Sequence, residues 1–149
     1  MSARQRQWLR GGLLVLAVTP AWIGAWGLVA PRSFYASFPA GGHHWVSALG
    51  AYDQHLVRDI AALDLGMLVL LLAAAILLET TLVRVALIAY AVASLPHLIY
   101  HLTTLDRLPA GDNAASIAGL ALQVLLPLGL LPATRRRPVD ASTARVVPA

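Results

Sequence analysis

The sequence predicts an all-α fold: an integral membrane four-helix up-down bundle with an interfacial loop on its extracytoplasmic side. Three observations predict it. The 149 residues are 58% hydrophobic and only 12% charged, whereas a water-soluble domain carries roughly 25% charged residues to clothe its core. The apolar residues fall into four runs, each near the ~20 residues that a helix needs to cross the hydrocarbon layer. The arginines gather at one set of run ends, as basic residues do when they fix orientation in a membrane.

Several function classes are excluded at this stage. The formal charge of +4 is compatible with nucleic-acid binding, but the chain has no lysine and its arginines flank apolar runs rather than forming a stripe. No nucleic-acid partner is expected. With no cysteine, disulfides, thiolate metal sites, cysteine nucleophiles and iron–sulfur clusters are all ruled out.

The elements follow in order. Residues 11–31 carry no charge between Arg10 and Arg32, and the first span is expected over about 11–30, with Pro31 stopping it. Its uncharged run is long for a signal peptide. Trp22 and Trp26 stand where small cleavage-site residues would be required, so a retained span is expected. The second span, about 56–78, carries Arg58, Asp59 and Asp64 in its first half, with Asp53 as its cap. A link of about Glu79–Thr81 makes the second and third spans an antiparallel hairpin. The third, about 83–104, contains Pro96, His97 and His101. The fourth, about 114–131, contains Gln123 and Pro127 and has Asp112 or Asn113 as its N-cap. Residues 1–131 thus form one domain. Residues 132–149 form an Arg-rich tail whose composition predicts disorder.

With four spans, Arg4, Arg6, Arg10, Arg84, Arg135, Arg136, Arg137 and Arg145 share one side, and only Arg32, Arg58 and Arg107 lie on the other. The positive-inside rule then puts both termini in the cytoplasm of a cell with the chain in its plasma (inner) membrane. The loop from about Arg32 to Tyr52 faces outward. It carries Phe34, Tyr35, Phe38, Trp45 and Tyr52, and the spacing of Trp45, Leu49 and Tyr52 predicts a short interfacial helix. This loop is read as a cap that anchors the bundle, with a lid over a cavity as the sharper alternative. Gly66, Gly119 and Gly129 are candidates for close helix contacts, although their spacing is not a dimer motif.

Ionisable residues inside a span cost about 2.5–3.5 kcal/mol each on insertion scales, so they mark a candidate site. At about 1.5 Å per residue, His55, Arg58 and Asp59 lie near the outer surface on the second span, and Tyr100 and His101 near it on the third. Asp64 and His97 lie roughly 10 Å deeper. His97 and His101 share a face, as do His55 and Asp59. Asp64 points about 140° away from Asp59, toward the first or fourth span, with Gln123 as a candidate neighbour. Three readings fit. In the first, Arg58 pairs with Asp59 or Asp53 and the histidines bond locally, locking helix register. In the second, His97 and His101 hold a metal, completed by His55 or Asp59, or one of them ligates haem. In the third, the polar groups form the mouth of a pocket for a lipid or quinone. His43 and His44, in the loop, can join either site or stay solvated.

The segments Trp26-Gly-Leu-Val-Ala-Pro31-Arg-Ser-Phe-Tyr35, Tyr52-Asp-Gln-His55-Leu-Val-Arg58-Asp59 and Pro96-His97-Leu-Ile-Tyr100-His101 resemble the small four-helix membrane proteins called DoxX-like. The likeness runs from about Gly11 to Leu131. It implies a four-helix inner-membrane bundle but no particular reaction. Some relatives are similar to subunits of redox assemblies, which favours a quinone or partner-subunit role. The thiol chemistry linked to others has no cysteine to act through here. The expected function is a structural or partner-binding membrane subunit rather than an enzyme. Its partners are the lipid bilayer and a membrane protein or a second copy. The alternative is a lipid-, quinone- or haem/metal-binding redox module.

Overall fold

A computed structural model describes residues 2–134 of the chain. The helices are α1 (Ala3–Val29), α2 (Pro31–Ser37), α3 (Gln54–Leu77), α4 (Thr80–Thr103) and α5 (Ala110–Leu130), followed by a 3₁₀ turn at Leu131–Thr134. Four of them (α1, α3, α4, and α5 with its 3₁₀ turn) are long and apolar enough to cross a membrane. Helices suit that setting because each satisfies its own backbone hydrogen bonds where no water is available. The outward-facing side chains are apolar too: Val18, Leu63, Val69, Ile76, Val92 and Leu125 are all more than 60% exposed. A patch of that extent suits lipid rather than water.

The chain passes up, down, up, down, and the spans pack as a ring, each touching its two neighbours. The α1–α3 and α4–α5 seams are the most extensive; α3–α4 and α1–α5 are slighter. The main core lies toward the N-terminal end of the bundle. There Leu9, Leu13 and Leu16 of α1 meet Leu71 and Ala74 of α3, Leu78 just after it, Val83 and Leu87 of α4, and Leu130 of α5. Cross-links tighten this end. Arg10 Nε donates to the Ala75 carbonyl at 3.1 Å, and Gln5 Nε2 donates to that of Ala133. Arg84 holds Thr134 by two hydrogen bonds. Pro132–Thr134, expected in the tail, therefore belong to the folded unit. The expected disorder of the tail beyond them lies outside the described residues.

Glycines on α1 set the α1–α3 spacing. A Cβ at Gly27 would lie 2.8 Å from Ala61 Cβ, and one at Gly24 would lie 2.6 Å from Leu65 Cδ2 and 3.0 Å from the Ala61 carbonyl oxygen. Gly12 is similarly close to Leu130. The glycines expected to play this part, Gly66, Gly119 and Gly129, meet nothing within 4 Å. Each lies on the outward face of its helix, which residue spacing alone did not reveal.

Two local expectations are corrected. The short helix of the long loop is Pro31–Ser37, with Pro31 in its first turn, where a missing N–H costs nothing; residues 45–49 form successive turns. The N-cap of α5 is Pro109, so Asp112 and Asn113 sit inside the first turn. Asn113 has another use: its Nδ2 donates to the Leu105 and Leu108 carbonyls at 2.6 and 2.9 Å, folding the α4–α5 link onto the helix. Asp53 caps α3 as expected, accepting from the Leu56 N–H at 3.1 Å.

Candidate functional site

The end of the bundle opposite the N-terminus is closed by aromatic rings. Phe34 of α2 packs edge-on against Trp26 of α1, and Phe38 reaches Trp22, one turn deeper, at 5.4 Å between centroids. The segment after α1 therefore doubles back along it. Phe38 then meets Trp45, and Trp45 meets His43. His43 Nδ1 lies 2.8 Å from the Asp112 carboxylate of α5, so the loop bridges from α1 to α5 across their slight seam. Tyr35 donates to the Gly50 carbonyl at 2.7 Å and packs on Tyr52, which also lies under the Arg32 guanidinium at 5.3 Å. The Trp45 indole N–H is buried without a hydrogen-bond partner among the described residues.

The seven polar residues predicted as a site separate into three places. His55 and Asp59 pair on the outermost turns of α3, 3.3 Å apart, with side chains 85% and 56% exposed. Arg58 stands exposed beside them. It forms no ion pair with Asp59 or Asp53 among the described residues, so that part of the structural reading does not hold. His97, Tyr100 and His101 form a second group, on α4. The two imidazoles are tilted at 5.0 Å between centroids, and Tyr100 stands edge-on to His101. His101 is buried and faces α5, where its Nδ1 lies 3.4 Å from Ser116 Oγ; His97 is exposed.

Asp64 belongs to a third group, near mid-depth, ten residues (about 15 Å) into α3. Tyr90 of α4 is the centre of this group. Its hydroxyl donates to Gln123 Oε1 of α5 at 3.2 Å, and the Thr19 side chain of α1 and the Asp64 carboxyl lie around it. Asp64 itself makes no hydrogen bond to this group among the described residues. Gln123, a candidate neighbour for Asp64, bonds Tyr90 instead, and sequence reasoning singled out neither Tyr90 nor Thr19. Their signal was available: both are polar-tipped residues at mid-span, and Tyr90 is two turns inward of His97 on a face close to it. Ser116 and Asn113 were missed as partners of the α4 end because their spacing resembles ordinary helix polarity.

Among the described residues no three His, Cys, Asp or Glu side chains come together as metal ligands. The pair His97–His101 lacks the third and fourth protein donors that a closed zinc site requires, and neither His55 nor Asp59 supplies one. The expected metal set therefore does not fit a structural metal centre.

The fold and these groups define a class: a multi-pass, all-helical membrane bundle, polar at mid-depth and capped by an aromatic loop. No family model, curated protein or solved structure shows a significant match to the chain.

Proposed function

We propose that this chain is a non-catalytic membrane subunit of the DoxX-like type, and that it presents the His55–Arg58–Asp59 turn of α3 to a membrane-protein partner or a second copy. One observation carries the reading. Two interior polar pairs are spent on contacts within the bundle, His101 with Ser116 and Tyr90 with Gln123. The first turns of α3 instead leave an exposed cation beside an exposed His55–Asp59 pair. Exposed charges at an otherwise apolar surface favour recognition and orientation over stability. The arginine asymmetry supports a plasma (inner) membrane protein with both termini in the cytoplasm and this turn outside.

The absence of cysteine makes the test direct. In intact cells a membrane-impermeant maleimide should label an Arg58→Cys variant and leave an Arg84→Cys variant unlabelled. A photoactivatable crosslinker on the same cysteine should then trap one partner of defined mass, and a His55→Ala/Asp59→Ala background should lose it. Labelling of Arg84→Cys alone would reverse the orientation, and crosslinking to lipid only would overturn the subunit reading. The second reading, a redox module, rests on the adjacent imidazoles of His97 and His101, 5.0 Å apart. An absorption spectrum and elemental analysis of the purified protein test it: a Soret band or stoichiometric metal lost in His97→Ala/His101→Ala supports it, and a clean spectrum without metal removes it.

A further inference from the structure

The opposite, N-terminal end of the bundle carries a groove on its lipid-facing side, between α4 and α5. Its volume is about 280 Å³, and it is lined by Arg84, Ile88, Leu128, Leu131, Pro132 and Thr134. Arg84 and Ile88 are one turn apart on α4, and Leu128 and Pro132 are four apart on the other wall, so each pair shares a face. Ile88 and Leu128 remain about half exposed, at 51% and 48%. The groove thus has a cation at its mouth and an apolar floor running toward mid-membrane. Arg84 is four residues into α4, about 6 Å from the helix start, close to one end of the span.

The cation is held in place. Arg84 Nε donates to Thr134 Oγ1 at 2.8 Å and Nη2 donates to the Thr134 carbonyl at 3.2 Å. Thr134 is itself only 1% exposed, and its hydroxyl donates to the Leu131 carbonyl at 2.7 Å. Two of the five guanidinium N–H donors are thereby used, and no carboxylate pairs with Arg84 among the described residues. We propose that this groove binds one anionic phospholipid, its phosphodiester on the free face of Arg84 and an acyl chain along Ile88 and Leu128. Basic pockets between spanning helices suit acidic headgroups. A soluble anion would leave the apolar floor unused. A zwitterionic lipid would bring its own cation to an end where Arg4, Arg6, Arg10 and Arg84 face only Glu79 among the described residues.

The test is native mass spectrometry of the full chain, delipidated in mild detergent and offered equal phosphatidylglycerol and phosphatidylcholine. One phosphatidylglycerol should be retained preferentially, and Arg84→Gln should reduce that preference about fivefold, the effect of one arginine near a membrane surface. Arg6→Gln should leave it within twofold. Ile88→Trp, which fills the floor and spares the Arg84–Thr134 contact, should lower retention of the lipid; it carries the test if Arg84→Gln does not fold. Equal losses from Arg6→Gln and Arg84→Gln would reduce the effect to general attraction and overturn the site. Full retention in Ile88→Trp, or displacement by inorganic phosphate at the lipid's own concentration, would overturn it as well.

Discussion

Adding one methyl group at Gly27 tests the α1–α3 seam directly. A Cβ there would lie 2.8 Å from Ala61 Cβ and 3.6 Å from the Val57 carbonyl oxygen. Carbon atoms pack best at about 3.5–4.0 Å, so the two methyls overlap by roughly 1 Å. Neither is the end of a flexible side chain, and the helices must move apart. Overpacking of this kind costs about 1–3 kcal/mol. Gly→Ala in a helix also gains up to about 1 kcal/mol in propensity, which would hide part of the cost. Gly66→Ala on α3 supplies the reference: it has the same chemistry in mid-helix, with nothing within 4 Å. The propensity gain cancels between the two variants, leaving Gly27→Ala less stable by about 1–3 kcal/mol. The assay is reversible unfolding in mixed micelles, followed by helical circular dichroism and tryptophan emission. Ala61→Gly added to Gly27→Ala should recover most of the loss, since it removes the other methyl. Gly27→Ala matching or exceeding Gly66→Ala in stability would refute the close-packed seam.

Three further outcomes follow from the polar contacts. His101→Ala should destabilise the bundle by about 0.5–1.5 kcal/mol, the net worth of one hydrogen bond, since the buried Ser116 keeps its bond to the Asn113 carbonyl, while His97→Ala, at an exposed position, should change stability little; equal losses in the same micelle titration would count against this assignment. Tyr90→Phe should cost about 0.6 kcal/mol, the usual worth of a hydrogen bond between spanning helices, and should be non-additive with Gln123→Leu; full additivity would show that the two side chains do not interact. Asp112→Asn should raise amide hydrogen exchange over residues 38–50 by removing the charge opposite His43, and unchanged exchange there would mean that the bridge does not hold the loop.

The legible part of the candidate site was its depth, and the illegible part was its direction. A helix rises by a fixed amount per residue, so Asp64 and Gln123 could be placed near mid-membrane and His55 and His101 near the surface from numbering alone. Which neighbour each side chain meets depends on the rotation of every helix about its axis. In a span that is apolar all round, no polar face records that rotation. His101 consequently faces Ser116 on α5 rather than the first turn of α3; the one error of depth was Asp64, expected level with His97 but ten residues into α3 where His97 is six from the end of α4. The aromatic spacing in the long loop misled for a related reason: Trp45, Leu49 and Tyr52 match a helical period, yet residues 45–49 lie in turns, with Trp45 packed on Phe38 and Tyr52 on Tyr35.

The residues alone indicate a membrane bundle of four helices, with Asp53 capping the second span and most ends placed to within about four residues; α1 is the exception, starting at Ala3 rather than near residue 11 because a capping box at Ser2 extends it through the charged turns. These are consequences of composition, backbone satisfaction in lipid and local capping, none of which needs a neighbour. Only the tertiary structure decided which glycines are squeezed, which histidine is buried and where Arg84 is held by Thr134. Lipid tails are as apolar as the leucines they touch, so hydrophobicity does not choose a helix's inward face in a membrane. Close packing and hydrogen bonds between helices make that choice, and both depend on residues far apart in the chain.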